Sequence, residues 1–322
     1  MIPAGFKRMN ELGSRSEPFL FILDFDLSKP LIYSPKEAEE AGILYQLHER
    51  INFTPCAIVP TRFNFKKSPV LPDVYQRSFD LVMNHILAGN SYLVNLTCPT
   101  KIDTELSLRE IFFRSKARYK LLVPESFIVF SPEIFIRIND GIISSYPMKG
   151  TIDASVPDAE SILLTNPKEL AEHHTIVDLI RNDLNLVAKD VHVEKFRYVE
   201  EITTNFTKLF QVSSMITGTL PLDYSSHIGD ILFRMLPAGS VTGAPKKKTV
   251  EIIREAENYD RGYYTGIMGY FDGSTLDSGV MIRFIEETPE GKVFKSGGGI
   301  TSQSKADAEY REMIDKVYVP IT

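Results

Sequence analysis

The chain has 322 residues, which is long enough for a large hydrophobic core, and its contents of 43% hydrophobic and 24% charged residues are those of an ordinary globular protein. This composition excludes a disordered or fibrous chain, and a net charge of −6 without a long basic run argues against nucleic acid as a ligand. No stretch approaches the roughly 18 apolar residues of a membrane span, and Cys56 and Cys98 lack CxxC spacing, so we expect a cytoplasmic protein.

The N-terminal part of the sequence predicts an alternation of strands and helices. Weak alternation over residues 18–33 predicts one or two strands, and Ser34 before a proline predicts the start of a helix. Apolar residues at helical spacing predict a helix over 72–89, which ends at a Gly-Asn pair before the strand-like "SYLVNLTC". A further helix is predicted around 106–118.

The middle of the chain carries a hairpin signal and a capped helix. β-rich runs flank Asn139-Asp140-Gly141, which predicts a hairpin with Lys149 at the far end of its second strand. Asn166 is a predicted helix cap, and Glu169 is placed to complete a capping box.

The remaining segments continue this alternation, and a glycine run at 297–299 is predicted to form a turn. Strands are expected over 191–217, 263–271, 277–286 and 292–297, and helices over "SSHIGDILFRML", 245–257 and 304–317. Strand pairs joined by short turns, with helices between the groups, predict an antiparallel-rich α+β protein. Because no linker or repeat interrupts the chain, we expect one domain over residues 1–322.

Lys149 in "SYPMKGT" is a candidate reactive lysine. An ammonium beside Pro147 and Met148 at a strand end would be desolvated, which lowers the pKa of a lysine and frees the amine as a nucleophile or base. The alternative is a lysine that extends into water. Glu133 in "FSPEIF" lies on the other side of the hairpin and could approach this amine, or could be an exposed glutamate at the start of a strand.

Two helices carry paired carboxylates. Glu169 and Glu172 are three residues apart and share a helix face, and Glu309 and Glu312 repeat this spacing on a face that also carries Lys316. Four carboxylates could hold a hard cation such as Mg²⁺. The alternative is two solvated helix faces, on one of which Glu312 and Lys316 form a surface ion pair.

Seven stretches, in order, resemble the chorismate-utilising enzymes, the group that contains anthranilate, isochorismate, salicylate and aminodeoxychorismate synthases. They are "SPEIF", "PMKGT", "KELAEHHTIVDLIRNDL", "LPAGSVTGAPKKKTVEII", "RGYYTGIMGYF", "SGVMIRFIE" and "GGGITSQSKADAEYREMIDK". The resemblance runs from about residue 72 to the C-terminus. It implies a catalytic core over 72–322, a shortened N-terminal portion over 1–71, and a large two-sheet layered sandwich with helices outside.

The resemblance also implies an activity. A lysine in P-x-K-G-T is typical of the members that make 4-amino-4-deoxychorismate, a precursor of para-aminobenzoate and folate, whereas anthranilate synthases usually have alanine there. Lys149 would then form a covalent adduct with chorismate, and Glu133 would be the general acid and base. Because the chain has no glutaminase-like cysteine motif, ammonia would come from a separate glutamine amidotransferase.

The remaining implied roles concern metal and substrate. Mg²⁺ would be held by the four paired glutamates and would bind the C1 carboxylate of chorismate. Asn95 stands where water-adding members have a lysine, whereas Leu93 and Gln211 depart from the family pattern. The implied substrate-binding residues are Asn95, Thr242, Tyr264, Arg283, Gly297, Gly298, Gly299 and Lys316.

Two alternatives to this activity stay open. One is an anthranilate-type amination of chorismate with loss of pyruvate. The other is a non-catalytic subunit that binds chorismate. Lys149 argues against the first alternative, and the complete set of lysine, acid and carboxylates argues against the second.

Overall fold

The computed structural model describes residues 2–55, 63–203 and 208–320. The helices in these ranges are α1 Ala4–Ser14, α2 Pro35–Glu40, α3 Pro72–Leu87, α4 Leu108–Arg114, α5 Ala159–Thr165, α6 Pro167–Asn185, α7 Ile228–Met235, α8 Lys246–Ala256 and α9 Ala306–Asp315, with 3-10 turns at Tyr224–His227 and Gly239–Val241. No helix in the described ranges is long and apolar enough to cross a membrane.

The strands group into two antiparallel sheets, so the predicted α+β class is confirmed. They are β1 Phe19–Leu23, β2 Leu31–Tyr33, β3 Leu44–Leu47, β4 Arg50–Ile51, β5 Lys66–Ser68, β6 Leu93–Asp103, β7 Tyr119–Val123, β8 Phe127–Ser131, β9 Ile134–Asn139, β10 Ile142–Ser145, β11 Met148–Asp153, β12 Lys189–Thr203, β13 Lys208–Thr219, β14 Gly243–Ala244, β15 Ile267–Phe271, β16 Leu276–Val280, β17 Phe284–Thr288 and β18 Gly291–Ile300.

The chain forms two compact units. The first comprises Met1–Pro18, Ile134–Ser240 and Phe271–Ser278, and the second comprises Phe19–Glu133, Val241–Tyr270 and Gly279–Thr322. The expectation of one catalytic domain over residues 1–322 stays a prediction.

In the first unit, strand β13 pairs with β10 and β11 along one edge and with β12 along the other. Helices α5 and α6 pack against these strands. Helices α1 and α7 approach closely at Gly229. They can do so because glycine has no side chain: a Cβ at this position would lie 1.9 Å from the carbonyl oxygen of Phe6. The aromatic rings of Phe6 and Phe233 meet edge to face at 5.1 Å beside this contact.

The predicted hairpin at 139–141 is confirmed, since β9 and β10 pair across Asp140 and Gly141. Both residues have left-handed φ angles, +50° and +75°, as a two-residue type I′ turn requires. The predicted position of Lys149 in this hairpin is wrong. Strand β10 ends at Ser145, and Pro147, which has no N–H for a sheet ladder, precedes the separate strand β11 that contains Lys149.

In the second unit the sheet has the order β14-β6-β18-β17-β8-β7-β3-β4, and β5 pairs with β6. Helices α3, α8 and α9 cover β6 and β18, and α4 covers β7 and β8. The core between these helices and the strands β6 and β18 includes Tyr75, Phe79, Val82, Val94, Leu96, Ile252, Ile253, Ile300 and Met313. This core fixes the position of α9, the helix that bears one predicted carboxylate pair.

Three predicted elements differ in length from the structure. The helix after Ser34 begins as predicted, and Ser34 forms a capping box with Glu37. It ends at Glu40, because Gly42 turns the chain into β3 with a φ of +66°. Helix α4 is shorter than the predicted 106–118. The predicted strand 277–286 is split into β16 and β17, and Arg283 at the break has a φ of +54°.

Candidate active site

The three glycines Gly297–Gly299 lie inside strand β18, so the predicted turn is wrong. Strand β18 pairs with β6 through this run, with Gly298 opposite Leu96. A Cβ on Gly297 would lie 2.2 Å from the carbonyl oxygen of Leu96, which is closer than real Cβ contacts. The glycines therefore permit a close approach of two strands rather than a reversal of the chain.

Helix α9 directs two predicted carboxylates and Lys316 towards Gly298. A Cβ on Gly298 would lie 3.5 Å from Lys316 Nζ, 3.6 Å from Glu309 Oε2 and 3.7 Å from Glu312 Oε1. Lys316 Nζ lies 2.7 Å from Glu312 Oε1 and donates to the carbonyl oxygen of Gly297 at 2.8 Å. Three predicted site residues therefore converge over one glycine, and the predicted ion pair between Glu312 and Lys316 is present.

Asn95 and Thr242 lie next to this glycine strand. Asn95 of β6 is opposite Gly299, and its backbone N–H donates to the carbonyl oxygen of Thr242 at 2.7 Å. Thr242 is fully buried between the 3-10 turn at Gly239–Val241 and β14. Two predicted substrate-binding residues from distant parts of the sequence are thus joined by one hydrogen bond.

Tyr264 and Arg283 lie at opposite ends of the segment that contains β15 and β16. Tyr264 is 3% exposed, and burial raises the pKa of its phenol above the usual value, so the hydroxyl remains protonated at neutral pH. Its ring lies 5.8 Å from that of Phe284, the residue after Arg283. The Arg283 guanidinium lies over the ring of Tyr318 at 5.4 Å.

Glu133 lies between β8 and β9, where the chain leaves the second unit. Its backbone N–H donates to Ser131 Oγ at 3.1 Å, and its carbonyl oxygen accepts from the N–H of Val280 at 3.1 Å. Gly279 lies against the same carbonyl oxygen, because a Cβ there would be 3.1 Å from it. These contacts fix the backbone of Glu133.

Lys149 lies in strand β11 of the first unit, opposite Val212 of β13. The structure describes the backbone of Lys149. The register shifts between Lys149 and Thr151, and the intervening Gly150 has a φ of +80°. A Cβ on Gly150 would lie 3.1 Å from Glu169 Oε2, so the structure brings the predicted carboxylate of α6 against the residue that follows the predicted nucleophile.

Helix α6 presents the first carboxylate pair. The predicted cap is confirmed, because Asn166 Oδ1 accepts from the N–H of Glu169 at 3.2 Å. Glu172 follows one turn later and is half-buried. Sequence reasoning assigned no role to the adjacent His173, which is buried, with its Nε2 2.6 Å from Ser214 Oγ on β13. This contact attaches α6 to the sheet.

The carboxylates suit a hard divalent cation, although their role as ligands stays a prediction. Within residues 2–55, 63–203 and 208–320, no group of three or more His, Cys, Asp or Glu side chains forms a metal cluster. In each unit the predicted ligands occur as a pair on one helix, and Glu309 and Glu312 converge over Gly298. One or two carboxylates plus waters are the usual protein environment of Mg²⁺, so the donors fit this ion.

Sequence reasoning missed a buried ion pair between Arg261 and Glu257, which lies beside Asn95. The guanidinium of Arg261 is 2% exposed and donates to Glu257 Oε1 at 2.6 Å and Oε2 at 2.8 Å. Burial alone would lower the pKa of Arg261, but the Glu257 carboxylate outweighs it and raises the pKa. The four-residue spacing of Glu257 and Arg261 does not predict this ion pair, because α8 ends at Ala256 and the two residues do not share a helix face.

Cys98 on β6 is a free, buried thiol. Burial, together with the charge of Glu257, raises its pKa to about 12. We expect it to react with a thiol reagent at pH 8 roughly 100-fold or more slowly in the native protein than in urea, because the thiolate is the reactive form. Cys56 lies outside the described residues, so the measurement uses the Cys56→Ser variant. Equal rates in the two states would contradict the burial of Cys98.

The chain is similar to known proteins over most of its length. A protein of Haemophilus influenzae named Uncharacterized PabA-like protein is 50% identical over 315 residues, which are 98% of this chain and 96% of the relative. Aminodeoxychorismate synthase component 1 of Klebsiella aerogenes is 32% identical over 259 residues, which are 76% of this chain and 56% of the relative.

A solved structure shares the fold of this chain, and a family model matches most of its sequence. A putative 2,3-dihydroxybenzoate-specific isochorismate synthase, DhbC, from Bacillus anthracis superimposes with a TM-score of 0.72 at 21% identity, covering 97% of this chain and 88% of that one, which shows the shared fold. The family described as chorismate binding enzyme matches residues 27–322. The chain therefore belongs to the family of chorismate binding enzymes.

Proposed function

We propose that this protein converts chorismate and ammonia to 4-amino-4-deoxychorismate, as an aminodeoxychorismate synthase component 1. The observation that carries the proposal is the setting of Lys149. It precedes a left-handed glycine at a register shift in β11, and the Glu169 carboxylate lies against that glycine. The relative from Klebsiella aerogenes, whose name states this activity, supports the same choice.

The proposed reaction has two displacement steps. The uncharged amine of Lys149 attacks C2 of chorismate, both ring double bonds shift from C1=C2 and C5=C6 to C1=C6 and C4=C5, and the C4 hydroxyl leaves as water after Glu133 protonates it. The new secondary amine returns its extra proton to the Glu133 carboxylate. Ammonia then adds at C4, both double bonds shift back, and the bond between C2 and Lys149 Nζ breaks; Glu133 protonates the leaving amine and takes a proton from the new C4 ammonium group. The balance is one chorismate and one ammonia consumed, and one aminodeoxychorismate and one water formed.

We further propose that Mg²⁺ is the cofactor, with Glu309 and Glu312 as ligands and with Glu169 and Glu172 as the other two implied carboxylates. When bound, the ion would act as a Lewis acid on the C1 carboxylate of chorismate. The protein's own contribution is to fix the carboxylates. The core beneath α9 supports Glu309 and Glu312 over Gly298, and the Asn166 cap fixes the start of α6.

The substrate is proposed to bind along the glycine strand. The second carboxylate of chorismate would be met by the Tyr264 hydroxyl and the Arg283 guanidinium, since a protonated phenol and an arginine both donate to carboxylates. Asn95, Thr242, Gly297–Gly299 and Lys316 would line the same pocket. Asn95 has no basic group to activate water, which fits an enzyme that adds ammonia.

A separate glutamine amidotransferase is proposed to supply the ammonia in the cell. The test therefore uses ammonium salt in its place. Purified full chain is incubated with chorismate, Mg²⁺ and ammonium, and the products are identified by liquid chromatography with mass spectrometry. We expect ammonium-dependent formation of aminodeoxychorismate without pyruvate.

Three other results would each indicate a different function. Anthranilate with an equal amount of pyruvate would replace the proposal with the anthranilate-type reaction. Isochorismate formed without ammonium would show that water is the nucleophile. Chorismate that binds but stays unchanged under all conditions would indicate a non-catalytic binding subunit. Each of these three results would contradict the proposed activity.

A further inference from the structure

The buried guanidinium of Arg261 connects several separate segments of the second unit. Beyond Glu257, Nη2 donates to the carbonyl oxygen of Asn95 at 2.7 Å, and Nη1 donates to the carbonyl oxygen of Val241 at 2.9 Å and to Thr265 Oγ1 at 3.2 Å. Arginine presents several donors in a rigid planar fork, so one side chain can hold all of these acceptors at once.

Two of these acceptors are backbone carbonyl groups at or next to proposed substrate-binding residues. Asn95 is itself one of these residues, and Val241 directly precedes Thr242. The hydroxyl of Thr265 donates onward to the carbonyl oxygen of Tyr264 at 2.6 Å. The N–H of Asn95 donates to Thr242, which closes the connection between β6 and the loop before β14.

The ion-pair partner of Arg261 is anchored to the same strand. Glu257 Oε1 accepts from both the N–H and the Oγ1 hydroxyl of Thr97 at 2.8 Å. Thr97 lies opposite Gly297 in the pairing of β6 with β18. The ion pair therefore braces β6 where it meets the glycine strand.

A second buried cation holds the backbone of Arg261. Lys295 on β18 is 3% exposed and its Nζ donates to the carbonyl oxygens of Asp260 at 3.2 Å and Arg261 at 3.0 Å. The segment that bears Arg261 is thus attached through both its side chain and its main chain.

We infer that Arg261 is a positioning residue for chorismate, an inference that rests on the proposed function. It does not touch the substrate. It fixes the carbonyl groups of Asn95 and Val241, and through Thr265 that of Tyr264, so that Asn95, Thr242 and Tyr264 hold one arrangement when chorismate binds. Pre-organised groups bind a ligand more tightly because less order has to be gained on binding.

The test measures chorismate binding directly in the Arg261→Lys variant. Lysine keeps the positive charge for Glu257 but has no planar fork to reach all the other acceptors. With Mg²⁺ and without ammonia, we expect the Kd for chorismate to rise about 10-fold, with kcat for the amination changed less than KM. The matched control is Arg254→Lys, since Arg254 is an exposed arginine on α8 paired with Asp26, and its Kd should not change.

A second variant keeps the inference testable should Arg261→Lys not fold. Thr265→Val retains the shape and the ion pair but removes both hydrogen bonds of the Thr265 hydroxyl, the one from Arg261 and the one to Tyr264. The Kd should rise about threefold, because the links of Arg261 to Asn95 and Val241 remain. An unchanged Kd in a folded variant with a lowered melting temperature would show that Arg261 serves stability alone and would overturn the inference. Because binding is measured without turnover, a wild type that binds chorismate but makes a different product would reject the proposed function and leave this inference standing.

Discussion

Lys149→Ala should abolish the amination of chorismate, with kcat/KM reduced by roughly 10³-fold or more, because removal of a covalent nucleophile leaves only binding and electrostatic contributions. The variant should still form the non-covalent complex with chorismate, since the amine is needed for bond formation and not for the first encounter. Product formation by chromatography gives the rate, and titration calorimetry of the variant with chorismate shows whether it still binds.

The matched control for this variant is Lys195→Ala. Lys195 is an exposed lysine on β12 of the same unit. This control should retain wild-type activity, which separates loss of the nucleophile from loss of a surface charge. A Lys149→Ala enzyme with more than a tenth of wild-type kcat would eliminate the covalent route.

Glu309→Gln should raise the Mg²⁺ concentration needed for half-maximal binding roughly 100-fold, because it replaces a charged ligand with a neutral amide of the same shape. The change should leave the fold intact, since an amide can still accept the hydrogen bond that Ser304 donates to Glu309 Oε1. Calorimetric titration with Mg²⁺ alone measures this effect without relying on activity.

Glu290→Gln is the matched control, since Glu290 is an exposed glutamate in the turn before β18. It should bind Mg²⁺ as the wild type does. If Glu309→Gln and the wild type had the same affinity for Mg²⁺, Glu309 would not be a ligand and the convergence over Gly298 would need another explanation, such as a structural ion pair with Lys316.

Local signals in the sequence predicted those elements that local chemistry determines. The hairpin at Asp140-Gly141 needs left-handed φ angles that these residues tolerate, and α6 begins at the cap Asn166. The α+β class followed from the same alternation of strands and helices. The spacing of Glu309 and Glu312 predicted one shared helix face, which the structure has.

Tertiary contacts determined the elements and groups that the sequence did not predict. Gly297–Gly299 has the composition of a turn, but the carbonyl oxygen of Leu96 makes glycine necessary within a strand. The sequence predicts one hairpin strand that continues to Lys149, but the strand ends at Ser145, and Pro147 before the next strand has no N–H to donate to a ladder. The Arg261 network depends on carbonyl groups far away in the sequence, so no local pattern contains it.

The central claim is a covalent bond between chorismate and Lys149, and intact-protein mass spectrometry tests it most directly. The protein is incubated with chorismate and Mg²⁺ in the absence of ammonia, and the wild type is compared with Lys149→Ala. We predict that the wild type alone gains the mass of chorismate less one water and loses it when ammonium is added. A wild type that aminates chorismate yet never carries this adduct, or a Lys149→Ala variant that carries it equally, would contradict the claim.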